Sequence, residues 1–394
     1  MNDKLEIYNL YHNNLDTKKF SQMLDSNSQS YKFYWLEAIL TLALETSDDI
    51  LFDDIINEMI VEAWHTVTEY HLKLGPTING KSENFLEHAI NVLNHVCIVS
   101  SNPQREEIIS AIKQNEKAIK DDKYRLTDYV PYKLLYPFLD DEGLGYLRKD
   151  QRTRLIAYMI AVKENLNPFY TIIDGRGLQK KIRIGDDWRR LLLDNYSVIK
   201  SWIQYRKVVF LQDRNPGVPG IVYKLAPEGD YSRKLKNARE LWIACSQYSG
   251  KPIIDIYTGN ILSSDNFDLD HFVPRSFVAN DELWNLTPMD GSLNSSKNNR
   301  LPLWDNYFLK FAQYQYYLYE LVFSSISESN NLKMIFDKCR RDNINTIWAA
   351  ESLYIPGHDK DSFINILSNY MKPIYDSANI QGYALWTNIH LTQQ

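Results

Sequence analysis

The chain has 394 residues, 44% hydrophobic and 24% charged, with a formal net charge of −6. That is the composition of a soluble globular protein, and it argues against a nonspecific polycationic nucleic-acid binder. No run of roughly eighteen apolar residues occurs, so no membrane span is expected. The start, MNDKLEIYNL, lacks the basic and apolar regions of a signal peptide. Three scattered cysteines, Cys97, Cys245 and Cys339, make neither a disulfide framework nor a zinc ribbon. A cytoplasmic protein is expected.

Residues 1–165 read as a helical domain. YWLEAILTLALE, ILFDDIINEMIVEAWHTV, NFLEHAINVLNHVCIV and REEIISAIKQNEKAIK all space apolar residues by three and four. Gly75-Pro76 and Ser101–Pro103 punctuate them. His88 and His95 share a helix face, but seven residues of rise is roughly 10.5 Å, too far for two ligands of one metal. With His65 and His71 they read as core or boundary residues.

From 166 to 240 the texture is mixed and basic. FYTIIDGRGLQKKIRI predicts a short hairpin around Gly175 and Gly177. A helix is expected from Trp188 to Gln212, stopped by RNPGVPG, and YSRKLKNARELWIACSQ predicts another. Residues 173–240 hold 15 Lys/Arg against 8 Asp/Glu, whereas residues 1–172 hold 18 against 26. Charge counting alone favours a solvated face. The alternative is a phosphate-facing surface. Beyond Pro302, residues 303–394 return to helical text such as FLKFAQYQYYLYELVF, whose tyrosines read as packing residues with wet hydroxyls.

The chemistry-bearing stretch lies between these regions. In FDLDHFVPRSF, Phe267–Phe277, Asp268, Asp270 and His271 interrupt a strand-like apolar run, although aspartate is a poor strand former and costly to bury unpaired. WNLTPM, Trp284–Met289, predicts a second short strand. Asp290 is a helix N-cap candidate, and Asn294 and Lys297 share a face of the helix that follows. Strand, loop, strand and helix each reserve one polar position. Phosphodiester hydrolysis needs such a set. A histidine can take a proton from water near neutral pH. Aspartate and asparagine oxygens are hard ligands suited to Mg²⁺, and a lysine can meet phosphate as a point charge.

DLDHFVPRSF…WNL…LNSSK resembles the HNH (ββα-metal) endonuclease motif, including the HNH domain of RNA-guided CRISPR nucleases. CSQYSGKPI (Cys245–Ile253) is similar to the entry of the same domains. The resemblance covers mainly residues 240–302. It implies His271 as general base, Asp270 and Asn294 as holders of Mg²⁺ (or Mn²⁺), Asn285 as the residue ordering the His271 loop, and Lys297 as an aid at the phosphate. Many HNH domains fix a zinc ion with two CxxC pairs. Here Cys245 is followed by Tyr248 at that spacing, so no structural zinc is expected. More loosely, RNPGVPGIVYKL, ELWNL and QGY resemble large bacterial HNH proteins of restriction and antiphage systems.

The expected fold is mainly α with a small α+β unit: a helical domain (1–165), a mixed basic connection (166–240), an HNH nuclease domain (241–302) and a helical C-terminal region (303–394). The resemblance implies a Mg²⁺-dependent DNA endonuclease acting as effector of a bacterial defence or restriction system. DNA contacts are expected from Arg183, Arg189, Arg190, Arg206, Lys207, Arg275 and Arg300. No helix-turn-helix, zinc-finger or P-loop signature is visible. Control is therefore expected from a partner ATPase or sensor, or from self-association. The competing readings are a non-catalytic nucleic-acid-binding or assembly subunit with a vestigial site, and an RNase or a nuclease of modified DNA, since such a site reads phosphate rather than base.

Overall fold

The computed structural model describes residues 15–76, 83–97, 100, 102–139, 167–173, 175–225, 234–324 and 330–387. The chain is mainly helical with small sheets, in two compact units, Met1–Pro216 and Gly217–Gln394. Among the described residues no helix is long and apolar enough to cross a membrane. The stretch 140–166, read as the end of the first helical region, lies outside the described residues.

In the first unit, helix α1 (Tyr31–Glu45) buries an almost continuous apolar surface against α2 (Phe52–Thr68). Trp35 meets Phe52 edge to face at 5.3 Å, an arrangement that ring quadrupoles favour. Helix α3 (Phe85–Val96) opens with a capping box between Asn84 and Glu87, which satisfies orphan N–H groups reciprocally. Strand β1 (Ile50–Leu51) joins β2 (Thr171–Ile173) and β3 (Lys181–Arg183) in an antiparallel sheet of order β1-β3-β2. The hairpin of the FYTIID…KKIRI text is present. Gly177 supplies its left-handed turn at φ 53°, which glycine adopts at little steric cost.

The single helix expected over Trp188–Gln212 is two, α4 (Asp186–Asp194) and α5 (Tyr196–Arg214). Asn195 leaves the helical region at φ −118°, and its amide caps the Leu191 carbonyl at 3.0 Å. Side-chain competition of this kind is why asparagine favours helix ends.

The second unit opens with α6 (Lys236–Ser249) and a two-stranded sheet, β4 (Ile253–Ile254) with β5 (Ile261–Leu262). A second antiparallel pair, β6 (Asp268–His271) and β7 (Leu286–Met289), leads into α7 (Gly291–Lys297). Three helices pack around it: α8 (Trp304–Phe323), α9 (Asn330–Asn343) and α10 (Lys360–Ile380). Phe272, directly after β6, is buried against Phe311 at 4.7 Å and Trp304 at 6.1 Å. The tyrosine hydroxyls of α8 are less wet than expected. Tyr314 accepts from the Ile254 N–H, and Tyr319 accepts from His358 N–H and donates to Ile355 O.

Between β6 and β7, the fully buried Glu282 ties the loop to the end of α9. Its carboxylate accepts from the Asn345 N–H at 3.0 Å, the Thr346 N–H at 3.3 Å and the Thr346 hydroxyl at 3.0 Å. Glu282→Ala would leave those donors unpaired. It should lower unfolding stability by on the order of 3 kcal/mol, read as a shift in the urea midpoint; a shift within error would remove the loop's anchor from this account.

Candidate active site

Strand β6 exists because it is shielded on both sides. Leu269, Asp270 and His271 are buried, and the register sets Asp270 opposite Thr287 and His271 opposite Leu286. Alternation puts Asp268 and Asp270 on one face. Helix α7 then presents Asn294 and Lys297 to that face, one turn apart. The Asn294 amide lies 3.2 Å from Asp268 Oδ2, and Lys297 Nζ donates to Asp270 Oδ1 at 2.8 Å. The N-cap predicted at Asp290 is present, accepting from the Ser292 and Leu293 N–H groups at 2.9 and 3.1 Å.

Asp270 is the centre of a buried polar knot. The Tyr257 hydroxyl donates to Oδ2 at 2.7 Å, and Lys297 also donates to the His271 carbonyl at 2.7 Å. Burial raises the Tyr257 hydroxyl well above its ordinary value, with the Asp270 charge reinforcing it. Tyr257 is itself placed by Asp255, which is fully buried. One oxygen of Asp255 accepts the Tyr257 and Thr258 N–H groups at 2.8 and 3.2 Å; the other accepts the Asp290 N–H at 3.0 Å. Asp255 thus joins the turn carrying Tyr257 to the start of α7.

Asn285 is fully buried and clamps both backbone groups of Val273. Its Oδ1 accepts from the Val273 N–H and its Nδ2 donates to the Val273 carbonyl, each at 2.8 Å. This fixes the chain two residues after His271. His271 Nε2 meets Asp281 Oδ1 at 3.0 Å, and Arg275 Nε donates to the same oxygen at 3.2 Å. Burial alone would raise the Asp281 carboxyl. The hydrogen bond and charge of His271, the Lys234 backbone N–H and Arg275 outweigh it and bring the group down to about 2.

Two sequence expectations change here. Lys297, read as a phosphate contact, is only 1% exposed, and its ammonium is spent on Asp270 and His271 O. Lys207, read as facing DNA, is inside the first unit at 3% exposure, bonded to Glu37 at 2.6 Å. The remaining first-unit cations are largely engaged within that unit. Arg183 forms a two-pronged pair with Asp49. Arg189 binds the Ala43 and Thr46 carbonyls, and Arg206 binds the Leu24 carbonyl and Asp25. Arg190 is exposed. In the second unit Arg275 is partly exposed beside Asp281, and Arg300 is exposed just after α7.

Tyr257, Asp255 and Asp281 were not singled out from the sequence. The DIYTG turn, with aspartate two residues before tyrosine and a glycine following, carried a signal for the first two. Nothing local marks Asp281, which reaches His271 from ten residues away.

Among the described residues no three His, Cys, Asp or Glu side chains form a metal-holding cluster. The donors present nevertheless suit a hard cation. An ionised carboxylate offers about four acceptor positions, of which Tyr257 and Lys297 take two at Asp270. Asp268 and Asn294 add a half-open carboxylate and amide on the same face. Oxygen donors of this type match Mg²⁺ or Mn²⁺ rather than zinc.

Comparison with known families agrees with this geometry. Residues 246–303 match the HNH endonuclease family, so this part of the chain is an HNH endonuclease domain. No curated protein and no solved structure matches the chain.

One outcome follows from the knot and a second from Asp281. Lys297→Met would strand a buried carboxylate and should cost about 3–5 kcal/mol, with part of the loss recovered in the Asp270→Asn/Lys297→Met pair. Equal losses in the single and double variants would contradict the pairing. Asp281, held below its ordinary value near 3.8, stabilises the fold above about pH 4 and loses that contribution as pH falls through about 2. The loss should be about 2 kcal/mol, absent in Asp281→Asn when acid unfolding is compared.

Proposed function

We propose that the HNH domain is a Mg²⁺-dependent DNA endonuclease and the effector of a bacterial defence or restriction system. The observation that carries this reading is the meeting of Asp268 and Asp270 of β6 with Asn294 and Lys297 of α7, with His271 next along the strand, in a domain that matches the HNH endonuclease family. Nuclease chemistry follows from the family. The metal is inferred from the donor set, the DNA substrate from the exposed Arg190 and Arg300 and the partly exposed Arg275, and the defence role from the resemblance of the sequence to HNH proteins of restriction and antiphage systems.

In this mechanism Asp270 and Asn294 hold the cation, with Asp268 beside them. When bound, the cation offsets negative charge developing on the phosphoryl oxygens and at the leaving oxygen. His271 accepts the proton of a water as that water's oxygen forms the new bond to phosphorus. The bond to the leaving oxygen then breaks, and solvent supplies its proton. Asn285 holds the backbone after His271 so that the imidazole does not drift. Lys297 acts at one remove: it neutralises Asp270 and fixes the His271 carbonyl. The helical mass around a domain this small supports control by an ATPase or sensor partner, or by a second copy of the chain.

One observation favours a second reading. Both Asp270 oxygens already have protein partners, as a non-catalytic, vestigial site in a nucleic-acid-binding subunit would also show. Cleavage of supercoiled plasmid separates the two. The parent should nick or linearise plasmid with Mg²⁺ or Mn²⁺ and stop in EDTA. His271→Ala should lose about 10²- to 10⁴-fold, while Asp270→Ala and Asn294→Ala should lose cleavage and weaken Mn²⁺ binding in calorimetry. Parental cleavage by His271→Ala would reject the assignment of the base; no cleavage by the parent, with DNA still bound, would favour the vestigial reading.

A further inference from the structure

Asp281 has no part in the mechanism above, yet it touches the residue on which that mechanism turns. Its carboxylate is 7% exposed and is held from several directions. Oδ1 receives His271 Nε2 at 3.0 Å and Arg275 Nε at 3.2 Å, Oδ2 receives the Lys234 N–H at 2.9 Å, and the Asp281 carbonyl receives Asn343 Nδ2 at 2.6 Å. The next residue is the buried Glu282, anchored to Asn345 and Thr346.

The path to that position is itself strained. The short helix Arg275–Val278 ends at Ala279, which adopts φ 63°. A non-glycine residue there costs about 1–2 kcal/mol. Such strain persists only where the surroundings over-determine it, and it concentrates at functional sites. Here it turns the chain back so that Asp281, ten residues after His271, faces the imidazole.

We propose that Asp281 is the positioning residue of the His271 base: it holds the imidazole in the Nε2–H form and leaves Nδ1 to take the proton of water. The inference rests on the nuclease reading of His271. An ionised carboxylate only accepts hydrogen bonds. Nε2 must therefore donate to it, and in neutral imidazole the lone pair then sits on Nδ1. Nδ1 makes no hydrogen bond to the described residues. During the reaction a water proton moves to Nδ1, the water's oxygen bonds phosphorus, and the resulting imidazolium keeps its Nε2–H bond to Asp281. Charge that develops on the ring is thus met by a carboxylate already in place. Arg275 and the Lys234 N–H keep Asp281 ionised and aimed.

Histidine-selective ¹⁵N labelling of the full chain tests this directly, with the His271 signal assigned by its loss in His271→Asn. The parent should show His271 in the Nε2–H tautomer. A parental His271 in the Nδ1–H tautomer would overturn the proposal whatever the activity. Asp281→Asn should then lower kcat by on the order of 10²- to 10⁴-fold, the scale seen when a base loses its orienting carboxylate. KM and Mn²⁺ affinity should stay within about twofold, and Asp281→Glu should recover part of kcat. Parental kcat in a folded Asp281→Asn chain would also overturn it. If the parent fails to cleave, or His271→Ala cleaves normally, the nuclease reading falls instead; the tautomer still reports whether Asp281 sets the ring.

Discussion

A carboxylate buried on a strand must be compensated, and the second unit is organised around doing so for Asp270. Taking one such charge out of water without a partner costs several kcal/mol, comparable with the whole stability of a domain. Lys297 and Tyr257 supply the compensation at 2.8 and 2.7 Å. Each comes from a different element, so the pairing also fixes where those elements sit. Lys297 brings α7 onto β6. Tyr257 brings the turn after β4, and Asp255 locks that turn to the start of α7. The ββα shape is therefore partly a consequence of one buried charge.

A second set of bonds connects the loop between β6 and β7 to the helices around it. Glu282 holds the backbone just beyond α9, and Asn343 in α9 bonds the Lys234 and Asp281 carbonyls. Gln315 in α8 donates to the Leu283 and Leu286 carbonyls. Helices that elsewhere would be scaffold thus contact the backbone carrying Asp281 and Asn285. A displacement of α9 would reach His271 through Asp281 and through the backbone that carries Asn285. This is a physical route by which the C-terminal region can act on the site.

Much of this was legible in the sequence because it is local. Period-3.6 apolar text gave the helices, and the strand–loop–strand–helix order followed from FDLDHF, WNLTPM and the Asp290 cap, although Trp284 and Asn285 stand in a short 3-10 turn before β7. The spacing of His271, Asn285 and Asn294 marked the domain that the family comparison also finds at 246–303. What was illegible depends on contacts distant in sequence. The cation against Asp270 is Lys297, which reads from spacing alone as a phosphate contact because nothing local says that its ammonium is buried. Lys207 reads as part of a basic surface until Glu37, 170 residues away, is seen to bond it. Asn195 splits a helix that hydrophobic periodicity runs straight through. Charge counting weighs residues one at a time, whereas burial and pairing are properties of the fold.

The central claim is that Asp270, though bonded to Lys297 and Tyr257, keeps acceptor positions for a divalent cation. Anomalous diffraction from crystals grown with Mn²⁺, recorded on either side of the manganese edge, tests it most directly. The account predicts one strong peak about 2 Å from an Asp270 oxygen, with Asn294 in the same coordination sphere and the Lys297–Asp270 bond retained. Saturating Mn²⁺ with no peak at Asp270 would contradict it, and would leave the knot as a structural device with no metal to serve.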